Sequence, residues 1–168
     1  MHKGIFPLDV EIKEYIIKVM IESSNFRRYS LFDGLEQEQI DSILPLMNYE
    51  VYESGVEIIT EGSQNGKIFF ILEGLAIAVK GGVTLEKMGA GAFFGEMEVL
   101  DILPSAATVK AMALTNVMVL SLDALGEIYE TDLKTYSFII MNLARDLSRR
   151  LRRLDSYVAN ESPLMEWN

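Results

Sequence analysis

From Tyr49 to Leu120, glycine cuts the chain into short β-branched and aromatic runs, and this punctuation limits the fold more than any other feature. Val56-Glu57-Ile58-Ile59-Thr60, Ile68-Phe69-Phe70-Ile71-Leu72 and Leu75-Ala76-Ile77-Ala78-Val79 have the composition of strands bounded by turns. The clearest hairpin runs from Ala76 to Lys80, turns at Gly81-Gly82 and returns from Val83 to Met88. Paired glycines supply the positive φ angles that a tight hairpin turn needs. Several short strands at this spacing predict a small barrel or sandwich.

Helical periodicity frames the strands on both sides. Leu8, Ile12, Ile16, Val19 and Met20 recur at helical spacing within residues 8 to 30, with charges between them, and predict an amphipathic helix ahead of the main domain. A shorter helix is expected from about Glu36 to Met47, entered through Phe32-Asp33-Gly34-Leu35, where Asp33-Gly34 signals a turn. After Leu120, Ser121 can cap a short helix through Tyr129, and a long helix is expected from about Asp132 to Val158. Leu143, Leu147, Leu151, Leu154 and Val158 form a stripe along it, which either packs on the barrel or supplies part of a dimer seam. Arg145, Arg149, Arg150, Arg152 and Arg153 give the same helix a basic face, read as solvated or paired with acidic surface.

At 168 residues and 49% hydrophobic content the chain fits one domain with a sizeable core. The expected organisation is an N-terminal helical segment at 1–30, a domain at 31–158 with its barrel at about 49–120 and its helices at about 121–158, and a tail at 159–168. Asp9 and Glu11 interrupt the start before any long apolar run develops, so neither a secretory signal nor a membrane span is expected, and a cytoplasmic location is. With no cysteine and a single histidine, His2, the chain offers no thiolate nucleophile, no disulfide and no multi-histidine metal site. A formal net charge of −10 makes it a poor partner for a phosphate backbone.

The segment from Gly91 to Val109 carries the chemistry. A glycine-bounded turn at Phe93-Phe94-Gly95 leads into a short helix beginning near Glu96, whose free amide hydrogens and positive dipole end suit an anion. Together with Leu31-Phe32-Asp33-Gly34-Leu35, Glu61-Gly62, Asn65-Gly66, Phe69-Phe70-Ile71-Leu72-Glu73-Gly74, Pro104 with Ala106-Ala107-Thr108-Val109, and Leu147-Ser148-Arg149-Arg150-Leu151, this segment resembles the cyclic-nucleotide-binding domains of the catabolite-activator and kinase-regulatory-subunit type. The resemblance spans about 31–158. It implies a mainly β fold, a double-stranded β-helix or jelly-roll-like barrel, with an N-terminal helix and a long C-terminal one.

The resemblance also implies a ligand site at Phe94, Gly95, Glu96, Met97, Glu98, Ser105, Ala106 and Ala107. In it Glu96 would accept from a ribose hydroxyl, backbone amides around 97, 98 and 106 would face the phosphate, and Asp155 on the last helix would be a candidate contact to the base. Three positions depart from the family pattern. Ser105 stands where the family places an arginine against the phosphate, Glu98 stands where it has a small residue, and Lys67 stands where it often has an acid. Losing one partner of a buried charge pair costs about 2–5 kcal/mol, enough to turn micromolar binding into millimolar. A Glu98 carboxylate pointing inward would add like-charge repulsion, and one pointing to solvent would add little. Lys110 or an arginine of the last helix is the candidate substitute cation.

These features lead us to expect a non-enzymatic regulatory or signalling module that does not bind cyclic AMP or cyclic GMP in the usual way. The alternatives are a genuine sensor with a substitute cation, favouring cyclic AMP, and a purely protein-interaction module. No cofactor is demanded; a cyclic nucleotide or another small anion is the candidate ligand. A homodimer through the C-terminal helix and a protein partner are the expected contacts. Direct DNA binding is not expected, because the residues after Val158 are too few for a DNA-reading domain. Glu96 and Glu98, the one attractive carboxylate pair, lie two apart and do not share a helical face, which argues against an enzyme.

Overall fold

A computed structural model describes Phe26 and residues 29–161 of the chain. A single 3₁₀ turn at Ser30–Phe32 leads to α1 (Gln37–Ile43) and a second turn at Leu44–Leu46. Eight strands follow: β1 (Asn48–Tyr52), β2 (Glu57–Ile59), β3 (Lys67–Glu73), β4 (Leu75–Lys80), β5 (Val83–Gly89), β6 (Phe93–Phe94), β7 (Thr108–Ala111) and β8 (Thr115–Ser121). Between β6 and β7 sits α2 (Glu96–Asp101), and α3 (Leu122–Thr131) and α4 (Leu133–Glu161) close the order. The amphipathic helix expected over residues 8 to 30 falls almost wholly outside the described residues.

The strands form two antiparallel four-stranded sheets, ordered β1-β8-β3-β6 and β2-β7-β4-β5, the jelly-roll-like barrel with flanking helices that the family resemblance implies. Alternation along β3 and β8 explains why both read as nearly unbroken apolar runs. Phe69, Ile71, Val117 and Val119 fill the barrel interior, while Ile68, Phe70, Met118 and Leu120 face the helices. A sheet buried on both faces has no solvent side on which to place polar residues. The second core is completed by Leu31, Phe32, Ile40 and Leu44 ahead of the barrel and by Leu125, Ile128, Ile139 and Leu143 after it.

Two boundaries differ from expectation. The first helix ends at Ile43 rather than Met47, because Pro45 has no N–H for an α-helical bond and the chain continues as a 3₁₀ turn. The long helix runs on to Glu161, and Asp132 caps it: its carboxylate accepts from Thr135 N at 3.0 Å and from the Thr135 hydroxyl. Ser121 caps α3 as anticipated, accepting from Ala124 N at 3.2 Å.

The leucine stripe of α4 divides. Leu143 is fully buried in the helix-facing core, Leu147 is half-buried, and Leu151, Leu154 and Val158 are exposed. Buried Asn142 fixes the helix in depth by donating to the carbonyls of Leu31 and Asp33 at 3.0 and 2.8 Å. That anchoring carries the next two turns of α4 across the mouth of the barrel.

Candidate functional site

Pairing of Phe93 and Phe94 with Phe70 and Phe69 holds β6 on the edge of the first sheet, and the Phe69 and Phe94 rings stack at 5.0 Å. The chain must then turn within one residue. Gly95 does so at φ +85°, packed so closely that a Cβ there would lie 2.4 Å from the Lys67 carbonyl oxygen. Only glycine meets both demands. The turn aims Glu96, the first residue of α2, into the protein, where it is 1% exposed.

A buried carboxylate needs a partner. It comes from α4: Arg150 Nη1 donates to Glu96 Oε1 at 2.9 Å, and Nη2 donates to the Phe93 carbonyl. Arg150 Nε lies 2.8 Å from Asp146 Oδ2 and 3.5 Å from Glu86 Oε2, and the guanidinium carbon sits 5.6 Å from the Phe93 ring centroid. Arg153 holds Glu86 from outside at 3.0 Å. Burial pushes the Glu96 carboxyl above its ordinary range despite the opposing pull of Arg150, and the carboxylates of Asp146 and Glu86 push the same way as burial.

Glu98 also turns inward. Its Oε1 accepts the backbone N–H groups of Asn65 and Gly66, the latter at 2.8 Å, and its Oε2 accepts the Ser105 hydroxyl at 2.9 Å. Ser105 is locked to the facing loop by its own backbone, which donates to the Ser63 carbonyl at 2.9 Å while its carbonyl accepts from Gly62 N at 2.8 Å.

These groups surround a cavity of about 90 Å³ in the mouth of the barrel. Phe94, Gly95, Glu96, Met97 and Glu98 line one side, and Ser105, Ala106 and Ala107 another, so all eight residues singled out around the cassette meet at one place. Asp155 is exposed and does not line it. Lys110 pairs with Glu57 at 3.0 Å and Lys67 approaches Glu50 at 3.8 Å, neither at the cavity wall. The cation that does reach the cavity is Arg150, which the sequence placed in a run of five arginines without distinguishing it from its neighbours. Glu86, within the returning strand of the predicted hairpin, was likewise not anticipated. A larger groove of about 480 Å³ lies along α4 between Leu133 and Arg145, and none of the described residues lining it is a buried polar one.

Comparison with known proteins places this geometry in context. A family profile described as "Cyclic nucleotide-binding domain" matches residues 49–132. The cAMP-dependent protein kinase regulatory subunit of Yarrowia lipolytica is 38% identical over 82 residues, covering 48% of this chain and 22% of that protein. A protein named Glutaminase 2 from Bradyrhizobium diazoefficiens is 30% identical over 131 residues, covering 77% of this chain and 21% of that one. The chain thus spans about a fifth of the length of these curated relatives. Among solved structures, a cyclic nucleotide-binding domain from Methylobacillus flagellatus superposes with a TM-score of 0.78 over 100% of this chain and 92% of its own, at 24% identity. The Thermus thermophilus catabolite activator protein gives 0.67 at 27% identity, over 77% of this chain and 62% of its own.

Proposed function

Since the chain belongs to the cyclic nucleotide-binding domain family, we propose that it is a non-catalytic regulatory module whose barrel cavity is held shut by α4 and does not take cyclic AMP or cyclic GMP in the family's usual way. One observation carries the reading: Arg150 of α4 stands in the cavity wall, bonded to Glu96. A site for a molecule of that size needs a cavity of roughly 300 Å³ or more, so a ligand can enter only if the helix withdraws. Occupancy and helix position are then one equilibrium. A ligand that binds better with Arg150 displaced shifts α4 by its differential affinity, and the shift is the signal.

The usual phosphate contact is also absent from this cavity. Ser105 brings one hydroxyl where an arginine would bring a charged fork, and that hydroxyl is already donated to Glu98. On the output side, the exposed Leu151, Leu154 and Val158 follow the 3–4 spacing of a two-helix seam, which fits a second copy of the chain. No helix among the described residues is long and apolar enough to cross a membrane, and the site of action we assign is the cytoplasm.

Isothermal titration of the protein with cyclic AMP and cyclic GMP into the millimolar range tests the reading. No saturable heat is expected from either. Micromolar binding that disappears in Glu96→Ala would replace this reading with a working nucleotide sensor in which Arg150 serves as the substitute cation.

A further inference from the structure

Glu98 is half-buried on a six-residue helix, and its carboxylate accepts hydrogen bonds from Asn65, Gly66 and Ser105. Two of the donors are consecutive backbone N–H groups, at Asn65 and Gly66, with Gly66 at φ +61°. Consecutive amides converging from such a turn form a concave cradle for an anion, and the Ser105 hydroxyl closes its third side. The anion in that cradle is the chain's own.

Charge around the rest of the cavity has the same sense. Among the described residues, Glu86, Glu96 and Glu98 line it against one guanidinium, Arg150, and that cation is held by Glu86, Glu96 and the adjacent Asp146. A phosphate or carboxylate entering here would find the Ser105 hydroxyl in the wall already donated to Glu98, whose other oxygen holds the Asn65 and Gly66 amides. A neutral or cationic molecule meets neither obstacle, as the position of Arg150 itself illustrates.

We propose that Glu98 is the specificity-determining residue of this cavity: its carboxylate is a tethered anion that fills the cradle of Asn65, Gly66 and Ser105, so that the cavity excludes phosphate- and carboxylate-bearing ligands and takes a small uncharged or cationic one. The inference rests on the reading of this cavity as the ligand site.

The test is thermal melting, at constant ionic strength, of the full chain and of Glu98→Ala and Glu98→Gln, each titrated with inorganic phosphate, with acetate and with cyclic AMP. The unsubstituted protein should respond to none of them. Glu98→Ala should melt lower and regain stability saturably with phosphate and acetate, because a free anion refills the emptied cradle. Glu98→Gln keeps an acceptor in the cradle but not the charge, and should show a weaker saturable shift with phosphate where the unsubstituted protein shows none. If Glu98→Ala does not fold, the phosphate arm of Glu98→Gln decides. Equal responses in all three proteins, or no response in either folded variant, overturn the proposal. Tight cyclic AMP binding by the unsubstituted protein alongside phosphate rescue of Glu98→Ala would instead remove the functional reading above and leave the cradle standing.

Discussion

Arg150→Ala removes a guanidinium from four partners at once, and they are not equally affected. Asp146 and Glu86 keep side-chain exposures of 18% and 28% and recover water, whereas Glu96, at 1%, recovers far less. Orphaning one member of a buried ion pair costs about 3–5 kcal/mol. Arg150 is itself 18% exposed, so water follows where the side chain was, and a discounted loss of roughly 2–3 kcal/mol is expected. In a chain of this length that lowers the melting temperature by about 4–12 °C. The loss should also depend on pH. Glu96 already titrates above its ordinary value of 4.5, chiefly through burial, and Arg150 is the group that pulls it back down. Without Arg150 the folded-state value rises further. A carboxyl raised on folding binds its proton more readily in the folded state, so stability falls as pH rises through the window between the unfolded and folded values. In the variant this window extends to higher pH, so its deficit is widest near neutrality and narrows as acid neutralises Glu96. Denaturant unfolding of both proteins across a pH series reads this directly, and in a Glu96→Gln background the same substitution should cost far less. A deficit below about 0.5 kcal/mol at neutral pH, or one that does not change with pH, would refute the latch.

Four other variants probe the frame around the cavity. Gly95→Ala combines a left-handed backbone cost of about 1–2 kcal/mol with a Cβ placed 2.4 Å from the Lys67 carbonyl oxygen, so thermal denaturation should show a larger loss than the backbone cost alone. Ile102 ends α2 at φ +62° with its side chain 86% exposed, so Ile102→Gly should relieve strain of about 1–2 kcal/mol, offset by about 0.5–1 kcal/mol of added chain entropy, and leave a slightly more stable protein. Asp132→Ala loses the cap of α4, about 1 kcal/mol at neutral pH. Because the Thr135 hydrogen bonds hold the Asp132 carboxyl below its ordinary value, this contribution is present above about pH 4 and lost as pH falls through the folded value, and the variant should match the parent in strong acid. Leu151→Glu with Leu154→Glu should halve the mass measured by light scattering if α4 pairs with a second copy; an unchanged mass would assign the stripe another role.

Features set by near neighbours in the chain were readable from residues alone. The Gly81-Gly82 hairpin, the Ser121 cap and the presence of α3 and α4 depend on turn chemistry and periodicity that act over a few positions. The assembly of Phe94 through Glu98 with Ser105 through Ala107 was readable for another reason: each motif is weak, but their order along the chain is specific. Pro45 was a local signal, and its effect on the end of α1 was available in the sequence.

The two decisive contacts of the cavity depend on residues brought together across the fold. Arg150 meets Glu96 across 54 positions, and nothing in the spacing of five arginines on one helix tells which of them faces the barrel mouth. That is settled by where Asn142 and Leu143 anchor α4, since the rotation of a helix about its axis is fixed by what its buried side packs against. The inward turn of Glu98 was open for the same reason. Its direction is chosen by two amides 32 and 33 residues earlier, and an unfilled pair of donors is a property of the folded surface rather than of any segment. Barrel, hairpin and helices follow from short-range preference; which charges enter the cavity, and therefore what the cavity can accept, follows from packing.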